Sequence, residues 1–151
     1  MSLAFVGFTF AQEEEPTFNV SGSVDAYFRA NLTSSNSGDA NTALGQGDYS
    51  AFNNDSGFSL GLANVTLSYE GEKVGFVADL AVGQRADQYN GPGSIVNEAY
   101  MYWNVSDKVT LQMGRFNSWM GYEELSAANN FHYSMSHMFT YSARNFNGLV
   151  A

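Results

Sequence analysis

The stretch FNVSGSVDAYFRANL, residues 18–32, alternates between two kinds of side chain along its whole length. One set is apolar or glycine: Phe18, Val20, Gly22, Val24, Ala26, Phe28, Ala30 and Leu32. The residues between them are mostly polar and include Asp25 and Arg29. A period of two predicts a β-strand, because successive side chains point to opposite faces of the pleat. The apolar face must then contact either a protein core or lipid.

The same pattern recurs in further segments of the chain. Alternation predicts strands at 58–70, 74–83, roughly 95–105 and 109–116, and the final GLVA is a candidate start of a sixth strand. In the second strand the apolar phase flips near Leu62, which either a β-bulge or a strand start at Leu62 would explain. Tight turns at 71–73 and 106–108 and polar loops at 33–57, 84–94 and 117–147 join the strands. These features predict an all-β, antiparallel fold.

Composition restricts the class of protein. Fifteen acidic against six basic residues give a formal net charge of −9, which argues against a nucleic-acid partner. The chain has no cysteine, so disulfides and thiolate metal sites are excluded. No apolar run approaches the ~18 residues of a membrane-spanning helix, but closed barrels span membranes with alternating strands.

The chain is divided into three parts by its composition. Residues 1–11 are predicted to be a partial signal-peptide remnant, cut before Gln12, although a basic leading region is missing. Residues 12–17 form an acidic leader, and residues 18–151 are predicted to be the N-terminal part of one β-barrel domain.

Three features favour lipid over a core for the apolar faces, although a soluble β-sandwich would also alternate. A strand of residues 18–32 would span roughly 50 Å, which is longer than usual in soluble proteins. Short turns alternate with long loops, as in outer-membrane barrels. Both lysines, Lys73 and Lys108, lie in the short turns. Aromatic residues near the short-turn ends of the strands add an interfacial girdle: Phe18, Tyr69 and Trp103.

The chain after Gln12 resembles the N-terminal part of an outer-membrane β-barrel porin family of Gram-negative bacteria. The similarity rests on LSYEGEKVGFVAD, residues 67–79, and on MGRFNSWMGYEELSAANNFHYSMSHMF, residues 113–139. It implies an antiparallel transmembrane β-barrel in the outer-membrane lipid that passes small hydrophilic solutes or ions passively and needs no cofactor. A homo-oligomer is compatible with it, because trimers are common among porins.

The chain departs from this family pattern at its end. Five or six strands cannot close a barrel, since the smallest known ones have about eight. Ala151 also differs from the aromatic residue that usually ends such proteins. The chain is therefore expected to be an N-terminal fragment, and closure from several chains is the other arrangement.

The resemblance also implies candidate channel residues. The pore-lining candidates are the polar-face residues Asp25, Arg29, Asp79, Glu98, Tyr100 and Tyr102. The third external loop, residues 117–147, is a candidate constriction, because in porins this loop often folds inward. Its charged candidates are Arg115, Glu123, Glu124 and Arg144. Opposed charges across a narrow pore bias which solutes pass, and a mostly acidic wall favours cations. Solvated loop carboxylates and a local partner for Arg115 are the alternative interpretation.

Other functions are weaker hypotheses. A secreted or surface β-sandwich or barrel that binds a partner without transport is the alternative to a channel. His132 and His137 are five residues apart and would fall on opposite faces of a strand, so no metal site is predicted. Ser134 and Ser136 lack an evident acid and oxyanion element, so the protein is not predicted to be an enzyme.

Overall fold

The structure, a computed structural model, describes residues 16–30, 32, 57–91 and 93–151. The predicted signal remnant, residues 12–15 of the acidic leader and loop residues 33–56 lie outside this part. The strands are β1 Thr17–Arg29, β2 Gly57–Glu70, β3 Val74–Val82, β4 Val96–Ser106, β5 Val109–Asn117 and β6 Asn145–Val150. The helices are α1 Gln84–Asn90, a 3₁₀ turn Ala127–Asn129 and α2 His137–Tyr141.

All six of these strands belong to one antiparallel sheet in the order β1-β2-β3-β4-β5-β6. Each strand pairs with its neighbour in the sequence, which confirms the all-β, antiparallel prediction. The sixth strand begins at Asn145, three residues before the predicted GLVA segment. Among the described helices, none is long and apolar enough to cross a membrane.

A β-bulge at Gly61 causes the phase flip in β2. Asp25 lies opposite Leu62 and Ala26 lies opposite Leu60, so Gly61 is one extra residue on β2. The bulge moves Leu62 onto the same face as Asp25, where it is only 2% exposed. Since β2 already begins at Gly57, a late strand start does not explain the flip.

The apolar face of the sheet remains exposed. Fourteen of its large side chains are between 39% and 89% exposed: Phe18, Val20, Val24, Phe28, Phe58, Val65, Val74, Phe76, Leu80, Val82, Met101, Trp103, Met113 and Leu149. A soluble sandwich would cover such a face with a second sheet, but all the described strands lie in a single sheet. A continuous apolar face of this size is typical of a surface that contacts another apolar phase.

Aromatic pairs lie at both ends of this apolar face. Tyr69 and Phe76 stack with ring centroids 6.0 Å apart beside the turn that joins β2 to β3. At the opposite end of β1 and β2, the rings of Phe28 and Phe58 are 4.8 Å apart. Aromatic residues at both ends of apolar strands are the arrangement expected at the two interfaces of a membrane.

The opposite face, called the polar face here, is partly covered by α1 and by residues 118–144. These residues are called the third loop; they are fewer than the predicted 117–147, because Asn117 belongs to β5 and residues 145–147 belong to β6. The buried cluster on this face consists of Leu62, Ala81, Ala86, Tyr89 and Leu125, with Phe139 packed against it. Sequence analysis predicted only a polar loop at 84–94, and this was wrong for α1. A seven-residue helix is marginal alone, so the burial of Ala86 and Tyr89 against the sheet stabilises it.

We expect Gly114→Ala to destabilise the sheet by about 1–3 kcal/mol. Gly114 has a φ of 136°, and an added β-carbon would meet the Ala99 carbonyl oxygen and lie 2.7 Å from the Tyr100 α-carbon. Gly148, its cross-strand partner on β6, has open space around an added β-carbon. Gly148→Ala is therefore the matched control, and urea unfolding of both variants measures the difference. Equal stabilities of the two would contradict the strain assigned to Gly114.

Candidate functional site

The third loop crosses the polar face as far as β1. The hydroxyl of Tyr133 donates a hydrogen bond to Asp25 Oδ2 at 2.8 Å, and its ring lies 5.9 Å from that of Tyr27. Gly61 leaves room for this contact, because a β-carbon there would lie 2.6 Å from the Tyr133 hydroxyl. Burial raises the pKa of Tyr133, and the hydrogen bond to Asp25 raises it further. The hydroxyl therefore remains a donor at neutral pH.

Arg85 of α1 connects the helix to the third loop. Its Nε donates to the Leu125 carbonyl at 3.0 Å, and its Nη1 donates to the Tyr133 carbonyl at 2.7 Å. The guanidinium carbon also lies 5.2 Å from the centroid of the Tyr133 ring. The side chain is 4% exposed, and burial lowers the pKa of Arg85. An arginine nevertheless stays charged in proteins, so both hydrogen bonds are charge-assisted.

The far end of the third loop is attached to the other end of α1. Arg144 donates through Nη1 to the carbonyls of Gln88 and Tyr89. The Tyr89 hydroxyl lies 2.6 Å from the Arg144 carbonyl and 3.1 Å from Asn117 Oδ1, and both are acceptors. Burial raises the pKa of Tyr89 to about 12, with a further contribution from the charge of Glu98. Tyr89 is therefore a neutral donor that joins helix, loop and β5.

Two carboxylates of the third loop accept hydrogen bonds from other residues of the same loop. Glu123 Oε1 accepts the Ser136 backbone N–H at 2.7 Å, and its Oε2 accepts the Ser136 hydroxyl. Glu124 Oε2 accepts from Asn129 Nδ2 at 2.6 Å, and the Asn130 side chain binds the backbone of Glu124. Both carboxylates are thus held in place by neutral groups of the same loop.

A cavity of about 360 Å³ lies between the third loop and the polar face. Asp79 and Glu98, cross-strand neighbours on β3 and β4, contribute the sheet wall. Glu123 and Glu124 contribute the loop wall, and Arg144 also lines the cavity. Four carboxylates and one guanidinium therefore surround the same space.

Asp79 is the most enclosed of these carboxylates, at 7% exposure. Its Oδ1 accepts from Asn64 Nδ2 at 2.9 Å and from Thr66 Oγ1 at 2.8 Å. Its Oδ2 accepts from Asn97 Nδ2 at 2.7 Å. These neutral donors orient the carboxylate but do not cancel its charge.

The structure brings five of the sequence-derived candidates together and separates the others. The five that line the cavity are Asp79, Glu98, Glu123, Glu124 and Arg144. Arg115 lies beside it and donates to the Asn97 carbonyl at 3.3 Å and to Asn90 Oδ1 at 3.1 Å. Asp25 lies under the third loop through Tyr133. The remaining candidates are outside the cavity lining: Arg29, opposite Gly57, and Tyr100 and Tyr102, opposite Val77 and Gly75.

Sequence reasoning missed Arg85, Tyr89, Asn97 and Tyr133. The spacing of Ala86 and Tyr89 is a weak helical signal that could have indicated a buried helix face. Nothing local in the sequence links Arg85 to the third loop, because its partners Leu125 and Tyr133 are 40 and 48 residues away. Within the described residues, no group of three or more His, Cys, Asp or Glu side chains is arranged to hold a metal ion.

Comparison with known protein families supports a β-barrel assignment. The model of a family described as "Putative beta-barrel porin-2, OmpL-like" matches residues 17–150. This range begins at the first residue of β1 and ends at the last residue of β6, so it contains the whole described sheet. Neither the search of curated proteins nor the search of solved structures found a match.

Proposed function

The chain belongs to this β-barrel porin family, and we propose that its polar face lines a cation-preferring channel that the third loop narrows. Membership assigns the protein to the bacterial outer membrane and to a porin-like role. The exposed apolar face then contacts lipid, and the polar face contacts water inside the barrel. Passive diffusion through such a channel requires neither a catalytic residue nor a cofactor.

The observation that carries the proposed constriction is the contact between Tyr133 and Asp25. The third loop leaves the sheet after β5 and reaches β1 on the polar face, with β2, β3 and β4 between. A loop on the lipid side would leave irregular backbone in hydrocarbon, where its polar groups have no partners. The third loop therefore narrows the aqueous side of the sheet.

The proposed cation preference follows from the charges along this side. Five carboxylates lie on this side, four in the lining of the space under the third loop and Asp25 on β1. They outnumber the guanidinium groups of Arg144 in the lining and of Arg85 and Arg115 beside it. Acidic residues that line a pore lower the energy of cations and raise that of anions. The formal net charge of −9 has the same sign.

We expect Glu123→Gln combined with Glu124→Gln to lower the cation-to-anion permeability ratio by roughly threefold, the scale of partly screened charge interactions. Glutamine keeps one acceptor oxygen for the Ser136 N–H and one for Asn129, and its amide N–H can donate to the Ser136 hydroxyl, so the loop should keep its fold. The measurement is the reversal potential in a planar bilayer under a KCl gradient.

The control for this pair is Asp107→Asn, a charge loss in the exposed turn between β4 and β5. It should leave the reversal potential near its original value. An anion-preferring original protein, or identical ratios in the pair and the original, would contradict the proposed selectivity. Sedimentation in detergent would determine whether the channel also assembles as a homo-oligomer.

A further inference from the structure

The apolar face of the sheet carries a groove near the strand ends that the short turns join. A row of cross-strand neighbours lines it, one from each strand between β2 and β6: Tyr69, Phe76, Met101, Met113 and Leu149. The groove has a volume of about 600 Å³, within the roughly 300–1,000 Å³ that is common for ligand sites. Methionine side chains adapt to irregular shapes, so the groove suits a flexible hydrocarbon chain.

Two aromatic side chains give the turn end of the groove a polar edge. Trp103 lies two residues closer than Met101 to the turn between β4 and β5, and Tyr69 lies just before the turn between β2 and β3. Within the described ranges, neither the Trp103 indole N–H nor the Tyr69 hydroxyl has a hydrogen-bond partner. Amphipathic rings of this kind lie at the level of lipid head groups, where their donors can bind ester or phosphate oxygens.

The two short turns bring charges of both signs to the same end of the groove. Each contains an acidic residue followed by a lysine, and all four side chains are exposed: Glu72-Lys73 and Asp107-Lys108. The Lys73 carbonyl accepts the N–H of Asn104, the neighbour of Trp103, at 2.7 Å. Lys108 is three positions from Leu111, which also lines the groove. In the part of the chain that the structure describes, none of the four charged side chains has an ion pair or a hydrogen bond.

Unpaired charges of both signs favour a ligand that also carries both. Lysine ammonium groups would donate to a phosphate, and the carboxylates would accept from a primary ammonium group. A purely anionic head group is disfavoured, because Glu70 adds a third carboxylate at the end of β2. From groove to turn, the order of apolar surface, hydrogen-bond donors and charges matches the acyl chain, ester groups and head group of a phospholipid.

We propose that the groove holds a phospholipid whose head group carries both a phosphate and a primary ammonium, as that of phosphatidylethanolamine does. Its acyl chain lies against Met101 and Met113, its ester and phosphate oxygens accept from Trp103 and Tyr69, and its charged groups lie beside the two turns. The inference rests on the lipid contact in the proposed function and deepens it, because it names the class of lipid and its place on the sheet.

The test is native mass spectrometry of the full-length protein, purified in detergent and mixed with equal amounts of three dioleoyl lipids. The three differ only in the head group: phosphatidylethanolamine; phosphatidylcholine, whose quaternary ammonium has no N–H donor; and phosphatidylglycerol, which has no ammonium group. We expect the ethanolamine lipid to be retained about fivefold more than either of the others, the upper scale of an exposed charged contact.

Three variants locate the binding. Glu72→Gln combined with Asp107→Asn should remove most of the preference over phosphatidylglycerol, because fewer acceptors remain for the ammonium group. Trp103→Phe keeps an aromatic ring but lacks the indole N–H, so it should weaken retention of all three lipids by about threefold. Asp87→Asn, an exposed charge loss on α1, should bind the lipids as the original protein does. Heat-modifiable gel migration verifies that each variant is folded.

The possible results separate this inference from the channel proposal. Equal retention of the three lipids by a protein that inserts into vesicles and conducts would overturn the site and leave the channel standing. Stronger retention of phosphatidylglycerol would overturn the head-group assignment. A lipid-free dimer or trimer that Trp103→Phe dissociates would overturn the site by assigning the groove to a contact between copies. Selective retention of the ethanolamine lipid by a protein without conductance would support the site and refute the channel.

Discussion

Val24→Arg should lower the free energy of unfolding of the membrane-inserted barrel by about 2–4 kcal/mol, the cost of an arginine at the bilayer midplane. Val24 lies in the middle of β1 on the apolar face, is 76% exposed and is paired with Ala63. In a lipid bilayer, an arginine at position 24 would place its guanidinium group in the hydrocarbon. Urea unfolding of the protein in phospholipid vesicles measures the loss.

The matched control for Val24→Arg is Ser21→Arg on the same strand. Ser21 is exposed on the polar face, opposite Thr66, so its replacement would remain in water inside the barrel. Its cost should stay below about 1 kcal/mol, as for most solvent-exposed substitutions. If the two arginines cost the same, the apolar face does not contact lipid.

Arg85→Met should both destabilise the protein and release the third loop. Methionine keeps much of the volume but removes both donors, so the buried carbonyl of Leu125 and the partly buried carbonyl of Tyr133 lose their charge-assisted hydrogen bonds. We expect the free energy of unfolding to fall by about 2–4 kcal/mol. Single-channel conductance should rise, because the proposed constriction is no longer attached to α1.

Lys108→Met is the control for the loss of one positive charge, since Lys108 lies in the exposed turn between β4 and β5. It should change neither stability nor conductance appreciably. Unchanged conductance in a destabilised Arg85→Met protein would indicate that Arg85 only stabilises the fold. An unchanged stability would contradict the stabilising role of the two Arg85 hydrogen bonds.

The strands could be predicted from the sequence because their signal is local. Alternation in β1 reports directly on the two faces of the sheet, and the phase flip near Leu62 left a bulge and a later strand start as its two explanations. The bulge residue Gly61 could not be chosen from the pattern alone, because its place depends on the register with Asp25 and Ala26.

The candidate site was only partly predictable because its contacts are distant in the chain. Acidic residues could be assigned to the polar face one by one, but their meeting in one cavity depends on the path of the third loop. That path is fixed by contacts such as Tyr133 with Asp25, which are 108 positions apart. A loop without periodicity gives no sequence signal for such a contact. Nothing in the local sequence predicts that Arg85 is buried either.

The most direct test of lipid on one face and water on the other is a spin-label scan of β1. The chain contains no cysteine, so single cysteines can be introduced at each position from Phe18 to Phe28 without background labelling. Labels in phospholipid vesicles are then compared for collision with oxygen, which concentrates in lipid, and with a water-soluble nickel chelate. We predict high oxygen accessibility at Phe18, Val20, Val24 and Phe28, and high nickel accessibility at the alternate positions Asn19, Ser21 and Ser23. Equal nickel accessibility at both sets of positions would contradict a transmembrane β1.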